Sequence, residues 1–311
     1  MAEHFVKAPG WEWYILAYFF LGGLTGGLYA VATMLRLWGG PRGQAAARIG
    51  FLWAFPILLL CPIFLIIDLG QPLRFWHMLI DTTPGHGGVA FKDWSPMSVG
   101  SWVLLVYGVF AFVSFLEALA EGRTPRAAPE RALSGGAGLA FNVIGALLGA
   151  FVASYTGVLL SVSNQPIWSD TWVLGGLFLA SGLSGSTALL SWLTRDRLGP
   201  EGIEQRLLRA ARSFALLELV LIIVFFANLA AAGTLSRALA GPWAVLWVLV
   251  VLSLLPALVG LGRPRPEAQA GPGSAAGLRA GGVRLSGPAI LASVLVGVLL
   301  MRFVVIFSAQ F

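Results

Sequence analysis

Cysteine, histidine and charge are the three things this chain nearly lacks. Its single cysteine, Cys61, lies inside an apolar run. No internal disulfide can form, and an iron–sulfur cluster, which takes about four thiolates, has no ligand set. A lone cysteine in such a run is expected to pack as a small buried hydrophobe. The histidines are His4, His77 and His86, all outside the apolar runs, so the axial ligands of a di-haem cytochrome b are missing from the helices. Only 11% of residues are charged, against about 25% in soluble domains. With 58% hydrophobic residues and a mean hydropathy of +0.83, the composition is that of a membrane protein. The pI of 10.1 comes mainly from arginines in short loops. It speaks to topology and gives no reason to expect a nucleic-acid partner.

What is present in abundance is long apolar runs. Eight are long enough to cross a bilayer, at 13–38, 49–68, 97–119, 136–161, 171–194, 211–232, 242–262 and 287–308. In lipid the backbone must satisfy itself, so these are expected to be helices, and the fold class is an all-α integral membrane bundle. The first run is expected to be retained as a helix rather than cleaved as a signal peptide. Arginines alternate between loops: Arg36, Arg42 and Arg48, then Arg123, Arg126 and Arg131, then Arg195 to Arg212, then Arg263 to Arg284 lie on one side. The other side holds only Lys7, Arg74, Lys92 and Arg237. The basic loops belong in the cytoplasm, which puts both termini on the outer face of a cell membrane. Residues 1–168 make a first four-helix half and 169–311 a second, with a flexible cytoplasmic linker at 262–285.

The outer loop opens with "DLGQPLRFWHM", 68–78. Pro72 suits the start of a helix, and a helix over 72–81 would align Arg74, His77 and Asp81. Leu73, Trp76 and Ile80 would form an apolar face lying in the interface. Asp68 ends the second run, and a carboxylate at that depth usually has a partner or a function. Pairing with His77 would make a proton relay; reaching interface water is the plainer alternative. In the first run Gly22 and Gly26, and Gly23 and Gly27, repeat at i, i+4. That pattern serves close helix packing or leaves room for a flat ligand. Glu117 and Glu218, placed near inner helix ends, and Asn142 are either packing groups or an inner proton path.

Together "WEWYILAYFFLGGLTGGLYA" (11–30), "DLGQPLRFWHM", "SPMSVGSWVLL" (95–105) and "YTGVLLSVSNQPIW" (155–168) resemble the NrfD-like family of polysulfide reductase membrane subunits. The resemblance implies a haem-free subunit that binds menaquinone or ubiquinone near the outer face. It also implies a ferredoxin-like 4Fe–4S partner docked above, a molybdopterin catalytic subunit behind it, and possible proton translocation. Carried onto this chain, it makes Asp68 and His77 the proton-exchanging residues. Arg74, Tyr155, Ser98, Trp102, Trp13 and Tyr18 become the quinone-site candidates. Some relatives use a first-helix histidine, but residues 11–38 contain none; Trp13, Tyr14, Tyr18 and Thr25 are the polar-capable residues there. A proton-coupled secondary transporter is the alternative, with no inverted sequence repeat to favour it.

Overall fold

The computed structural model describes residues 7–85, 87–123, 135–198, 203–259 and 287–310. His4, His86 and the linker 262–285 lie outside them. Helix α1 (Trp13–Trp38) passes into α2 (Gly40–Asp68) through Gly39 alone. A Cβ on Gly39 would strike the Leu35 carbonyl and Gly43, and Gly40 has φ +65°, so this corner requires glycine. Pro41 occupies the first turn of α2, where its missing N–H has no intrahelical role. The segment expected as a loop before residue 49 is therefore helical. Trp13–Phe64, Thr25–Ala54 and Tyr29–Phe51 meet in opposite order along the two helices, so they run antiparallel.

Then come α3 (Pro96–Arg123), α4 (Gly135–Ser161), α5 (Leu174–Leu198), α6 (Ile203–Ala232), the single turn α7 (Leu235–Ala238), α8 (Pro242–Val259) and α9 (Gly287–Ser308). Among the described residues seven helices are long and apolar enough to span a bilayer, which makes this a multi-pass integral membrane protein. The eighth expected span corresponds to α8, whose apolar stretch, Pro242–Leu258, is shorter than the others.

Helices α1 and α5 are the most buried spans, and the glycines explain how. A Cβ on Gly26 would collide with the Gly149 carbonyl of α4. One on Gly27 would collide with the Gly182 carbonyl and Ser186 hydroxyl of α5. The paired glycines thus serve close packing on two neighbours at once. Ser186 Oγ donates to the Leu24 carbonyl at 2.9 Å across the α1–α5 contact.

The expected helix over 72–81 is instead a 3-10 helix, Pro72–Met78, followed by a hairpin with two-residue strands, Ile80–Asp81 and Gly88–Val89. Ile80 pairs with Val89 and Asp81 with Gly88. Three residues per turn still set Arg74 above His77 and Leu73 above Trp76, but Asp81 leaves that face. Its Oδ1 accepts the Thr83 N–H at 2.9 Å and hydroxyl at 2.6 Å. These bonds hold the Asp81 carboxyl below the usual carboxylate range.

Candidate functional site

The end of the bundle assigned to the outside gathers the start of α1, the end of α2, the 3-10 helix, the start of α3 and the end of α4. Asp68 is the last residue of α2 and is exposed; the charged group bearing on it is Glu12, the residue before α1. Arg74 and His77 are also exposed. Among the described residues no hydrogen bond or ion pair ties Asp68, Arg74 and His77 together. The expected Asp68–His77 relay is therefore not formed. The 3-10 helix leaves Arg74 and His77 at the surface, and His77 packs edge-on against Trp76 with ring centroids 4.1 Å apart.

Below that rim the residues are more enclosed. Tyr155 Oη donates to the Pro96 carbonyl at 2.5 Å, and its ring lies where a Cβ on Gly100 would be. Its proton is thus already used in fixing the start of α3. Ser98 and Trp102, expected to line the slot, anchor the outer loop instead. Ser98 Oγ accepts the Lys92 N–H at 3.0 Å, and Trp102 Nε1 donates to the Ala90 carbonyl at 3.1 Å. Trp13 is 55% exposed and packs on Tyr14 and Phe64. Tyr18 differs from all of these. It is only 4% exposed, it lies near Tyr155 and Cys61, and its hydroxyl has no hydrogen-bond partner among the described residues. Cys61 itself is fully buried, as a small hydrophobe should be.

Deeper in the bundle α1 and α3 face each other through a polar column. Thr25 Oγ1 donates to the Ala54 carbonyl at 2.7 Å, and Tyr107 Oη donates to the Thr25 carbonyl at 2.9 Å. Tyr29 Oη and Ser114 Oγ are 2.8 Å apart. Thr33 Oγ1 reaches the Asn142 carbonyl at 3.4 Å. At the far end Arg36 pairs with Glu117 at 2.7 Å and with Glu121 at 3.0 Å. The members recur at helical spacing on both helices, as Thr25, Tyr29, Thr33 and Arg36 and as Tyr107, Ser114, Glu117 and Glu121. The spacing was legible; that the two stripes face each other was not.

Glu218 does not belong to this column. It lies mid-way along the Arg206–Ala232 span rather than near its inner end. Fully buried, it lies beside the Ser184 hydroxyl, and neither group has any other hydrogen-bond partner among the described residues. Arg302 is the nearby cation. Its guanidinium donates to the Phe19 carbonyl at 3.1 Å, the Ser181 hydroxyl at 2.8 Å and the Phe178 carbonyl at 3.1 Å. Glu117, Asn142 and Glu218 therefore fall into two separate clusters. Among the described residues no group of histidine, cysteine and carboxylate side chains could hold a metal ion.

The family described as polysulphide reductase, NrfD, matches residues 2–265. The protein NrfD of Escherichia coli (strain K12) is 28% identical over 99% of this chain and 97% of its own length. A polysulfide reductase chain of Wolinella succinogenes is 30% identical over 56% of this chain and 55% of its own length. A selenate reductase subunit of Mesobacillus selenatarsenatis is 26% identical over 34% of this chain and 22% of its own length.

Proposed function

The chain belongs to the polysulphide reductase NrfD family, and on that premise we propose that it is the subunit through which a respiratory oxidoreductase exchanges electrons and protons with a membrane quinone. Relatives that are themselves parts of a polysulfide reductase and a selenate reductase support a membrane subunit with catalytic partners. The chain has no redox centre of its own in this reading. Electrons pass to or from an iron–sulfur partner on the outer face, ferredoxin-like with 4Fe–4S clusters, with a molybdopterin subunit beyond it.

The observation that carries the reading is Tyr18. Its side chain is almost enclosed, its hydroxyl makes no hydrogen bond among the described residues and so is free to bond a ligand, and it sits near Tyr155 beneath the exposed Asp68. A quinone needs such a slot, with a few polar groups for its carbonyls. Bound there, it supplies two-electron redox chemistry coupled to two protons. Tyr18 donates to one carbonyl oxygen, and Tyr155 holds the wall. Asp68 at the rim exchanges protons with the outer water, with His77 and Arg74 beside it on the loop. The α1–α3 column, ending at Arg36 and Glu117, is the inner proton route. The transporter alternative gains no support, because α1 and α5 run unbroken through their glycines.

The test is Tyr18→Phe and Asp68→Asn in the assembled complex. Tyr18→Phe should lower quinone-linked turnover about tenfold or more, and Asp68→Asn should abolish it, with the iron–sulfur partner still bound. Near-normal turnover in both variants would sink this site.

A further inference from the structure

Four segments distant in sequence meet at the outer ends of α8 and α9 around a cavity of about 400 Å³, within the size range of small-ligand sites. Part of its polar lining is unspent. Ser308, the last residue of α9, is only 4% exposed and its hydroxyl has no partner. Arg237, on the single turn α7, is exposed and makes no side-chain hydrogen bond or ion pair among the described residues. Gln165 spends one amide N–H on the Lys7 carbonyl at 3.3 Å and keeps the other. Gln310 is committed to Trp11 and Ile306 and acts as wall.

The opposite wall is held under strain. Ile167 adopts φ 76°, a left-handed conformation that a β-branched residue rarely takes. Its N–H is fixed by Asp170 at 2.8 Å, and the next residue, Trp168, is pinned by its Nε1 donating to the Val305 carbonyl at 2.7 Å. Strain of this kind persists where surrounding structure over-determines it, often at ligand sites.

We propose that this cavity binds the phosphate headgroup of an anionic phospholipid from the outer leaflet. The inference rests on the chain spanning the membrane with its ends outside and is independent of the quinone site. A cation, a hydroxyl and an amide N–H line the same cavity, a donor set suited to an oxyanion. The cavity also lies where α9 ends and α8 begins, the level at which spans leave the hydrocarbon. Trp243, in the first turn of α8, adds an interfacial aromatic wall. That half-apolar lining suits an amphiphile better than a fully hydrated anion.

The test uses the full chain in nanodiscs of phosphatidylcholine, alone or with phosphatidylglycerol, and counts retained phosphatidylglycerol by native mass spectrometry. Arg237→Gln and Ser308→Ala should each weaken retention, the former about tenfold. Lys92→Gln, an outer cation away from the cavity, should not. Both cavity variants should keep the native unfolding temperature in phosphatidylcholine alone, which separates loss of the site from loss of the fold. Unchanged retention in Arg237→Gln overturns the site. Displacement of the lipid by equimolar inorganic phosphate overturns the lipid as ligand in favour of a free anion. Displacement by acetate alone does so in favour of a carboxylate, such as one on a docking protein.

Discussion

At the scale of single residues, the polar groups divide by whether their hydrogen bonds are already made. Ser98, Trp102 and Tyr155 have theirs, which makes them scaffold; Tyr18 does not. Tyr107 is an intermediate case, since its hydroxyl links α3 to the Thr25 carbonyl inside the column. If protons reach the quinone along that column, Tyr107→Phe removes a link while keeping the packing. Steady-state turnover should fall severalfold and its solvent deuterium isotope effect should rise. An unchanged rate and isotope effect would remove the column from the pathway. Asp81 offers a pH prediction of known sign. Its carboxyl is depressed by Thr83, so its contribution to the hairpin is fully present above the ordinary carboxylate pKa of about 3.9. It is lost as pH falls through the lowered value. Thr83→Ala should move the acid loss of hydrogen-exchange protection at residues 80–89 to higher pH; an unshifted midpoint would show that the two bonds do not hold the loop.

At the scale of elements, the spans were legible because nothing in a soluble fold explains such runs, and lipid leaves only helix as the outcome. The outer loop was legible only in part. Pro72 announced a helix, but periodicity does not separate a 3-10 turn from an α-helix over seven residues, and Asp81 was drawn away by Thr83. Asp68, Arg74 and His77 are neighbours in sequence, yet among the described residues no hydrogen bond or ion pair joins them. The column's members are scattered in sequence and do converge. The glycine stripes predict which substitutions the bundle tolerates. A Cβ on Gly22 meets Tyr18 and Val152 at 3.8 Å, ordinary contact, whereas one on Gly26 overlaps the Gly149 carbonyl. Gly22→Ala should leave thermal unfolding in detergent nearly unchanged. Gly26→Ala should destabilise by about 1–3 kcal/mol through overpacking. Equal unfolding temperatures for the two variants would contradict the packing of α1 on α4.

At the scale of the whole molecule, one hydrogen bond bears on the number of crossings. The Trp11 N–H donates to Gln310 Oε1 at 2.7 Å, so the two ends of the described chain lie at the same end of the bundle. A polypeptide whose ends share a side crosses an even number of times, and the seven long spans alone would leave its ends on opposite sides. We propose α8 as the missing crossing. Trp243 at its start contacts Phe303 near the end of α9, and a Cβ on Gly297 would meet Ser253 further along. The two helices are thus antiparallel neighbours through the same layer. At about 1.5 Å per residue, the helix Pro242–Val259 covers most of a hydrocarbon core about 30 Å thick. Which side holds the ends is an expectation from the arginine distribution, which would put Arg42 at the α1–α2 corner inside and Lys7 and Gln310 outside. Single cysteines at these positions in a Cys61→Ala background test both points. In intact cells with a permeabilised outer envelope, a membrane-impermeant maleimide should label Lys7→Cys and Gln310→Cys, and should reach Arg42→Cys only after the inner membrane is opened. Labelling of position 7 but not 310 would mean an odd number of crossings and remove α8 as a span. Labelling of position 42 alone would invert the molecule and move Asp68, Tyr18 and the proposed partner surface to the cytoplasmic side.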